Sequence, residues 1–366
     1  MTKDTIHIPS NRKWQRHFKA KGFIPFMHDR LQSYALGGMN QYDENPFNFA
    51  IRPNEENLLA QYFFEFVEEF PYDITIEVTN NCNLNCVFCA RQKMSREKGF
   101  MSMDLYKNII DEIASKRPFS YVHLYGIGEP TIDPDIIERI VYAIQKGVTN
   151  LIIFTNGKNL LENDFYKKLA DTGIGTIGID VDAFTSDTYG RIRVGGSFDR
   201  LIAGITALNE YITENKLNTR VELAYQVYDA VNQAEFSQFQ EWALEHDYEY
   251  KIVAMHQWAG LREDIECQDS HRSHERQTPC SALWSSFMIL WNGDVAVCFQ
   301  DANGCELMGN VANDAIETVW RGKAKEKRKA HVKGTFTGLC KNCKEYLYNN
   351  LPPCNSSVYP EDLTDD

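Results

Sequence analysis

The sequence predicts an α/β fold, a partial (β/α)6 TIM-like barrel carrying a small cysteine-rich domain at its C-terminal end. Three observations predict it. From Tyr72 onward, short β-favouring runs alternate with amphipathic segments at a spacing that right-handed βαβ units require. The chemically distinctive loops follow directly on three of those runs, where a barrel places its chemistry. After about residue 265 the alternation stops and cysteines accumulate.

The elements follow in order. Ile74 to Val78 reads as a strand entering a cysteine loop. Ser102 caps a helix with Leu105, Ile109 and Ile113 on one face. Tyr121 to Tyr125 is a second strand. Asp133-Pro134 is expected to open a helix that Gly147 closes. Leu151 to Phe154, then the Thr155-Asn156-Gly157 turn, give a third strand and its loop. A helix over 163–171 leads to a fourth strand, Thr176 to Asp180. Ser197 opens a helix to about Glu214, and Val221 to Val227 is a strand. A helix over 233–246 and a strand from Tyr250 to Ala254 complete six units. An eight-unit barrel is the alternative, but too few repeats are visible. Beyond lie short strands at Met288 to Leu290 and Val295 to Val297, then a basic helix near 314–330. The division expected is 1–70 as an N-terminal extension, 71–265 as the barrel and 266–366 as the C-terminal domain. The acidic EDLTDD tail reads as frayed.

Composition narrows the function. The 366 residues carry a formal net charge of −13, which disfavours a phosphate-backbone partner, so no nucleic acid is expected. No apolar run approaches the ~20 residues of a bilayer span, and the N-terminus lacks an apolar core. A cytoplasmic protein with no membrane partner is the expectation. Ten cysteines in such a chain point to metal or redox chemistry rather than disulfides.

Cys82, Cys86 and Cys89 stand as C-x3-C-x2-C in one loop. Three thiolates can hold three irons of a 4Fe–4S cube and leave the fourth iron open to a ligand. A zinc knuckle is the alternative, but it needs a fourth Cys or His nearby, and none occurs between 90 and 122. A second set is Cys280, Cys298, Cys340 and Cys343, spaced C-x17-C and C-x2-C, with Gly293 ahead of Cys298. Four thiolates saturate either a cluster or a zinc ion. Cys267, Cys305 and Cys354 read as inert thiols, although a free cysteine could return a hydrogen atom to a radical.

On these motifs the sequence resembles the radical S-adenosylmethionine (radical SAM) superfamily over about residues 72–255. Phe88 stands in place of the family's aromatic before the last cysteine, near the adenine. Gly126-Ile127-Gly128-Glu129-Pro130 is similar to the family's Gly-Gly-Glu element, departing at Ile127, so that Gly128 and Glu129 match best. Asn156, Asp180 and Arg193 sit where related enzymes contact SAM; read on their own they are a turn Asn, a strand-end residue and a surface Arg. The C-terminal set resembles SPASM and shorter twitch extensions, and lacks the full SPASM cysteine run, which fits one auxiliary cluster. The resemblance therefore implies a C-terminal auxiliary-cluster domain, two 4Fe–4S clusters, SAM, and a flavodoxin- or ferredoxin-like electron donor. It implies an enzyme that makes a 5′-deoxyadenosyl radical and abstracts hydrogen from a substrate C–H. Oxidation of a hydroxyl to a ketone in a sugar, aminocyclitol or other natural-product intermediate is the reaction expected first. Epimerisation and peptide modification are the alternatives, and a zinc-bound scaffold without turnover is the reading from another class.

His256-Gln257-Trp258 follows the last barrel strand, fitting either substrate contact or packing at the domain junction. Arg262 and Phe299 resemble, in placement, residues that line the substrate of twitch-type aminocyclitol alcohol dehydrogenases, which makes Arg262 the catalytic candidate. The run from Lys323 to Lys329 reads as a solvated helix face.

Overall fold

The computed structural model describes residues 67–253, 255–265, 279–341 and 343. Most of the N-terminal extension, Ala254, Cys267 and Cys354 lie outside the described residues.

Six parallel strands form the barrel wall: β1 (Asp73–Ile76), β2 (Tyr121–Leu124), β3 (Asn150–Thr155), β4 (Thr176–Asp180), β5 (Arg220–Gln226) and β6 (Glu249–Val253). Each pairs with its sequence neighbour, as right-handed crossovers demand. The sheet does not close. It continues past β1 into β7 (Phe287–Ile289), β8 (Asp294–Ala296) and β9 (Leu307–Asn310), giving the order β6-β5-β4-β3-β2-β1-β7-β8-β9. β7 lies parallel to β1, with Ile74 opposite Phe287, and β8 and β9 return antiparallel. The C-terminal cysteine region is thus built onto the barrel's own sheet.

Outside the barrel run α1 (Met103–Lys116), α2 (Ile136–Gln145), α3 (Phe165–Ala170), α4 (Ser186–Ile192), α5 (Phe198–Glu214) and α6 (Ala230–Glu245). Ser102 Oγ accepts the amide of Leu105, the expected cap of α1. Ile109, Ile110 and Ile113 of α1, with Ile136, Ile140 and Ala143 of α2, pack on one core with Ile74, Ile76, Leu124 and Ile153 from the strands. Each such Ile or Leu side chain contributes roughly 1.5–3 kcal/mol by leaving water. The opposite face of the strands looks into the lumen. Among the described residues no helix is long and apolar enough to cross a membrane.

Three local expectations are corrected. Asp133 does not cap α2: the helix starts at Ile136, because the Asp133 carboxylate is spent on a buried pair with Arg139 Nε at 2.8 Å and on the Asp135 amide. The helix expected over 163–171 shortens to α3, since Asn163 and Asp164 take positive φ and break the turn. The basic helix divides at Gly322 into α8 (Ile316–Arg321) and α9 (Lys323–Val332), and α9 is not a solvated face. Arg328 is fully buried against Glu68 (2.6 Å), with its guanidinium over the Trp320 ring, and Lys327 is buried against Glu306 (2.6 Å). A short α7 (Ala282–Ser285) precedes β7.

Candidate active site

The cysteine loop leaves β1 and is pinned from four sides. Val87 N donates to Ile192 O (3.0 Å) and Asn85 N to Val194 O (2.9 Å). Gln92 Nε2 donates to Cys86 O (2.6 Å). Asn156 Nδ2 donates to Asn83 Oδ1 (2.9 Å) and reaches the Cys82 sulfur at 3.8 Å. Arg262 supplies the fourth anchor, donating to the carbonyls of Val87 (2.7 Å) and Cys89 (2.8 Å) while paired with Asp264 (2.8 Å). Its guanidinium is therefore committed to the loop backbone, and Arg262 is absent from the residues that line the cavity. That placement differs from the substrate-facing one expected.

Burial raises the thiols of Cys82, Cys86 and Cys89, that of Cys86 to about 12, and Cys82 and Cys86 each feel the negative field of Cys89. Three thiols converge, and each is costly to ionise without a cation. Among the described residues no three His, Cys, Asp or Glu side chains close on a point small enough for a single ion. Cys298 repeats the pattern. It is half-buried, its thiol raised first by desolvation and then by Cys343, Cys280 and Cys340 together, so the four cysteines surround one place. Both sets fit iron–sulfur clusters: Cys82, Cys86 and Cys89 would hold one, and Cys280, Cys298, Cys340 and Cys343 the other.

Beside the first set, the Gly126–Pro130 segment approaches β1 so closely that side chains are excluded. A Cβ on Gly128 would stand 2.2 Å from Thr79 O, and one on Gly126 would stand 2.8 Å from the Glu77 side chain. Glu129 is buried, and its carboxylate accepts from Thr131, from Thr155 Oγ1 (2.7 Å) and from the Asn156 amide (2.7 Å). Burial raises its pKa against those four bonds. Glu129 thus ties the loop after β2 to the loop after β3, leaving backbone groups to meet a ligand.

Arg193 is buried, not a surface residue. It pairs with Asp180 (3.2 Å) and more closely with Asp182, and lies over the Phe88 ring at 5.5 Å. Desolvation raises the Asp182 pKa to about 6 against the pull of Arg193. The sequence reading missed Asp182. The signal was the Asp180-Val181-Asp182 run at a strand end, but only the backbone at φ 59° turns the second carboxylate inward.

A cavity of about 320 Å³ joins these parts. Its lining includes Cys82, Cys86 and Cys89 at one side and Cys298 with Phe299 at another. Phe88, Gly128, Glu129, Asn156, Asp180 and Arg193 also line it. Between the two cysteine sets stand aromatic rings: Tyr125 contacts Phe299 at 5.4 Å and Phe154 at 5.3 Å, and Trp258 contacts Phe299 at 5.3 Å. His256 bonds Gln300 at 3.0 Å, so the segment after β6 both lines the cavity and packs at the junction. Tyr125, His123 and Lys251 were missed by the sequence reading. They sit inside strands or at strand ends, and only the register of the sheet shows which face is the lumen.

Two family models match the chain: the radical SAM superfamily over residues 76–221 and an iron–sulfur cluster-binding SPASM domain over 280–344. The chain belongs to the radical SAM superfamily. This radical SAM protein is 26% identical to an AdoMet-dependent heme synthase of Methanosarcina barkeri over 75% of this chain and 88% of that protein. It is 34% identical to the mycofactocin maturase MftC of Mycobacterium tuberculosis over 40% of this chain and 36% of that one. The match to that maturase thus spans little more than a third of its length. In fold it is similar to the crystal structure of BtrN in complex with AdoMet and 2-DOIA, at TM-score 0.52 and 20% identity, over 79% of this chain and 97% of that one. The AdoMet-bound structure of anSMEcpe gives TM-score 0.54 at 14% identity, over 80% and 90% of the two chains. SAM and two 4Fe–4S clusters are the cofactors that the two domains imply. When bound, they supply a carbon-centred radical able to take hydrogen from an unactivated C–H.

Proposed function

We propose that this radical SAM protein oxidises a hydroxyl-bearing carbon of a small polar molecule, such as a sugar, aminocyclitol or natural-product intermediate, to a ketone. One observation carries the reading: a single cavity is lined both by the three cysteines of the SAM-type loop and by Cys298 of the second set. Hydrogen abstraction leaves a substrate radical that must lose one more electron. A second cluster site on the same cavity wall is placed to receive it.

In this reading Phe88, with Arg193 behind it, forms the wall for an adenine, and Gly128 offers backbone to an amino-acid end. Asn156 and the Asp180–Arg193–Asp182 group set the polar rim. Tyr125, Phe154, Trp258 and Phe299 exclude water from the space between the two cysteine sets. Cysteines that line the cavity among the described residues are Cys82, Cys86, Cys89 and Cys298. Cys305 is exposed and does not line it.

The test is anaerobic incubation of the reconstituted full chain with SAM, dithionite and a panel of inositols, aminocyclitols and hexosamines. The expected result is 5′-deoxyadenosine together with a product lighter by two hydrogens. A product of unchanged mass that takes up deuterium from heavy water would establish the epimerase instead.

A further inference from the structure

Two hydrogen-bond acceptors on the cavity wall have no protein partner: Nδ1 of His123 and Oε1 of Gln300, both with buried atoms. Buried polar atoms are nearly always bonded, and an orphaned acceptor costs about 1–3 kcal/mol. Both residues line the cavity, so a ligand seated against them can complete the bonding of these buried atoms.

His123 is the more informative. It is 4% exposed, and its Nε2 lies 3.3 Å from Asp73 Oδ1. A carboxylate only accepts, so in the neutral ring the Asp73 contact places the hydrogen on Nε2 and leaves Nδ1 with a free lone pair. Tyr121, His123 and Tyr125 alternate along β2 onto the lumen face, with ring centroids 6.5 Å and 5.7 Å apart. Tyr125 then meets Phe299, the neighbour of Cys298. The free nitrogen is therefore on the wall that leads to the second cysteine set. Other charged groups of the lumen are engaged: Lys251 with Glu222 at 2.6 Å, and Asp180 with Arg193.

We infer that His123, oriented by Asp73, is the base that receives the hydroxyl proton of the substrate as the ketone forms. This rests on the dehydrogenase reading above. Three losses balance the oxidation of the carbinol: a hydrogen atom from carbon to the adenosyl carbon of cleaved SAM, the hydroxyl proton to His123 Nδ1, and one electron to the second cluster. Two lone acceptors also define the substrate class. It presents at least two donors, the reacting hydroxyl toward His123 and a second hydroxyl or amine toward Gln300.

The test has two arms, both on the full-length holoprotein. Long-range proton–nitrogen correlation of imidazole-labelled protein, assigned through the signal lost in His123→Gln, reads the tautomer without any substrate. The inference expects the Nε2–H tautomer, and Asp73→Asn should shift it toward Nδ1–H. An Nδ1–H or doubly protonated ring in the wild type overturns the inference. In the second arm, His123→Gln keeps a donor for Asp73 and loses the imidazole acceptor. With a panel compound that loses two hydrogens, the ratio of product to 5′-deoxyadenosine should fall on the order of a hundredfold, while 5′-deoxyadenosine formation stays within about twofold. An unchanged ratio overturns the base alone. An Nε2–H ring with no two-hydrogen loss from any panel compound overturns the dehydrogenase reading, and the base with it.

Discussion

Replacing Glu77 by Gln tests how the two halves of the site are held together. Glu77 is 0% exposed at the end of β1. Its carboxylate pairs with both terminal nitrogens of Arg96 at 2.8 Å. It also receives the amides of Ile127 (3.3 Å), in the glycine-rich segment, and Trp291 (3.4 Å), in the C-terminal region. Arg96 in turn donates through Nε to Ala302 O at 2.7 Å. The amide keeps the shape of the side chain but strands the Arg96 charge, which is almost wholly out of water. Breaking a buried pair on one side costs about 3–5 kcal/mol. That is a third or more of the ~5–15 kcal/mol that holds a typical domain folded. Anaerobic urea unfolding of the holoprotein, followed by circular dichroism, should show the midpoint falling accordingly with little change in slope. Replacing Glu77 and Arg96 together by Met should recover most of the loss, because no charge is then stranded. A Glu77→Gln loss below about 1 kcal/mol, or a double variant as unstable as the single one, would refute the argument that a charge pair makes this joint.

Three further outcomes are expected. Cys298→Ala should leave 5′-deoxyadenosine formation largely intact while ketone product falls by about tenfold or more; equal loss of both, by chromatography, would make the second cluster merely structural. Arg262→Ala frees the carbonyls of Val87 and Cys89, so iron should be lost selectively from the three-cysteine site, read as four irons per chain instead of about eight and as the loss of one cluster signal in electron paramagnetic resonance. Asp182 has a folded pKa raised to about 6 by burial. Its contribution to stability is therefore present in full below the unfolded carboxylate pKa and lost as pH rises through 6. Asp182→Asn should flatten the pH dependence of the urea midpoint between about pH 4 and 6, the interval between the unfolded and folded values, and an unchanged pH dependence would refute the assignment.

The barrel was legible because its strands and helices carry their signals locally. Ser102 caps α1 as its residue type dictates, and Thr176–Asp180 emerged with the bounds expected. The cysteine spacings were legible because a short loop can hold a cluster only in a few ways. Other features depend on partners distant in sequence. Asp133 looks like a helix cap until Arg139 claims it. The Lys323–Lys329 run looks like a wet surface until Glu68 and Glu306 come alongside. The start of α6 was placed late because its capping box uses Asn232 where a Glu is the usual cue. Helix α4 was missed: its seven residues, Ser186–Ile192, carry too few apolar positions to show a period. His123 reads as one more residue of a strand, and nothing short of the sheet register puts it with Asp73 in the lumen.

The pairing of β7 with β1 has an architectural consequence. A chain cut near residue 265 would not release a self-sufficient barrel. It would strip a neighbour from β1 and expose its backbone amides and carbonyls along a raw margin prone to recruiting foreign chains. It also means that the strands preceding the two sulfur nests, β1 and β7, are fixed to one another by ladder bonds rather than by a tether.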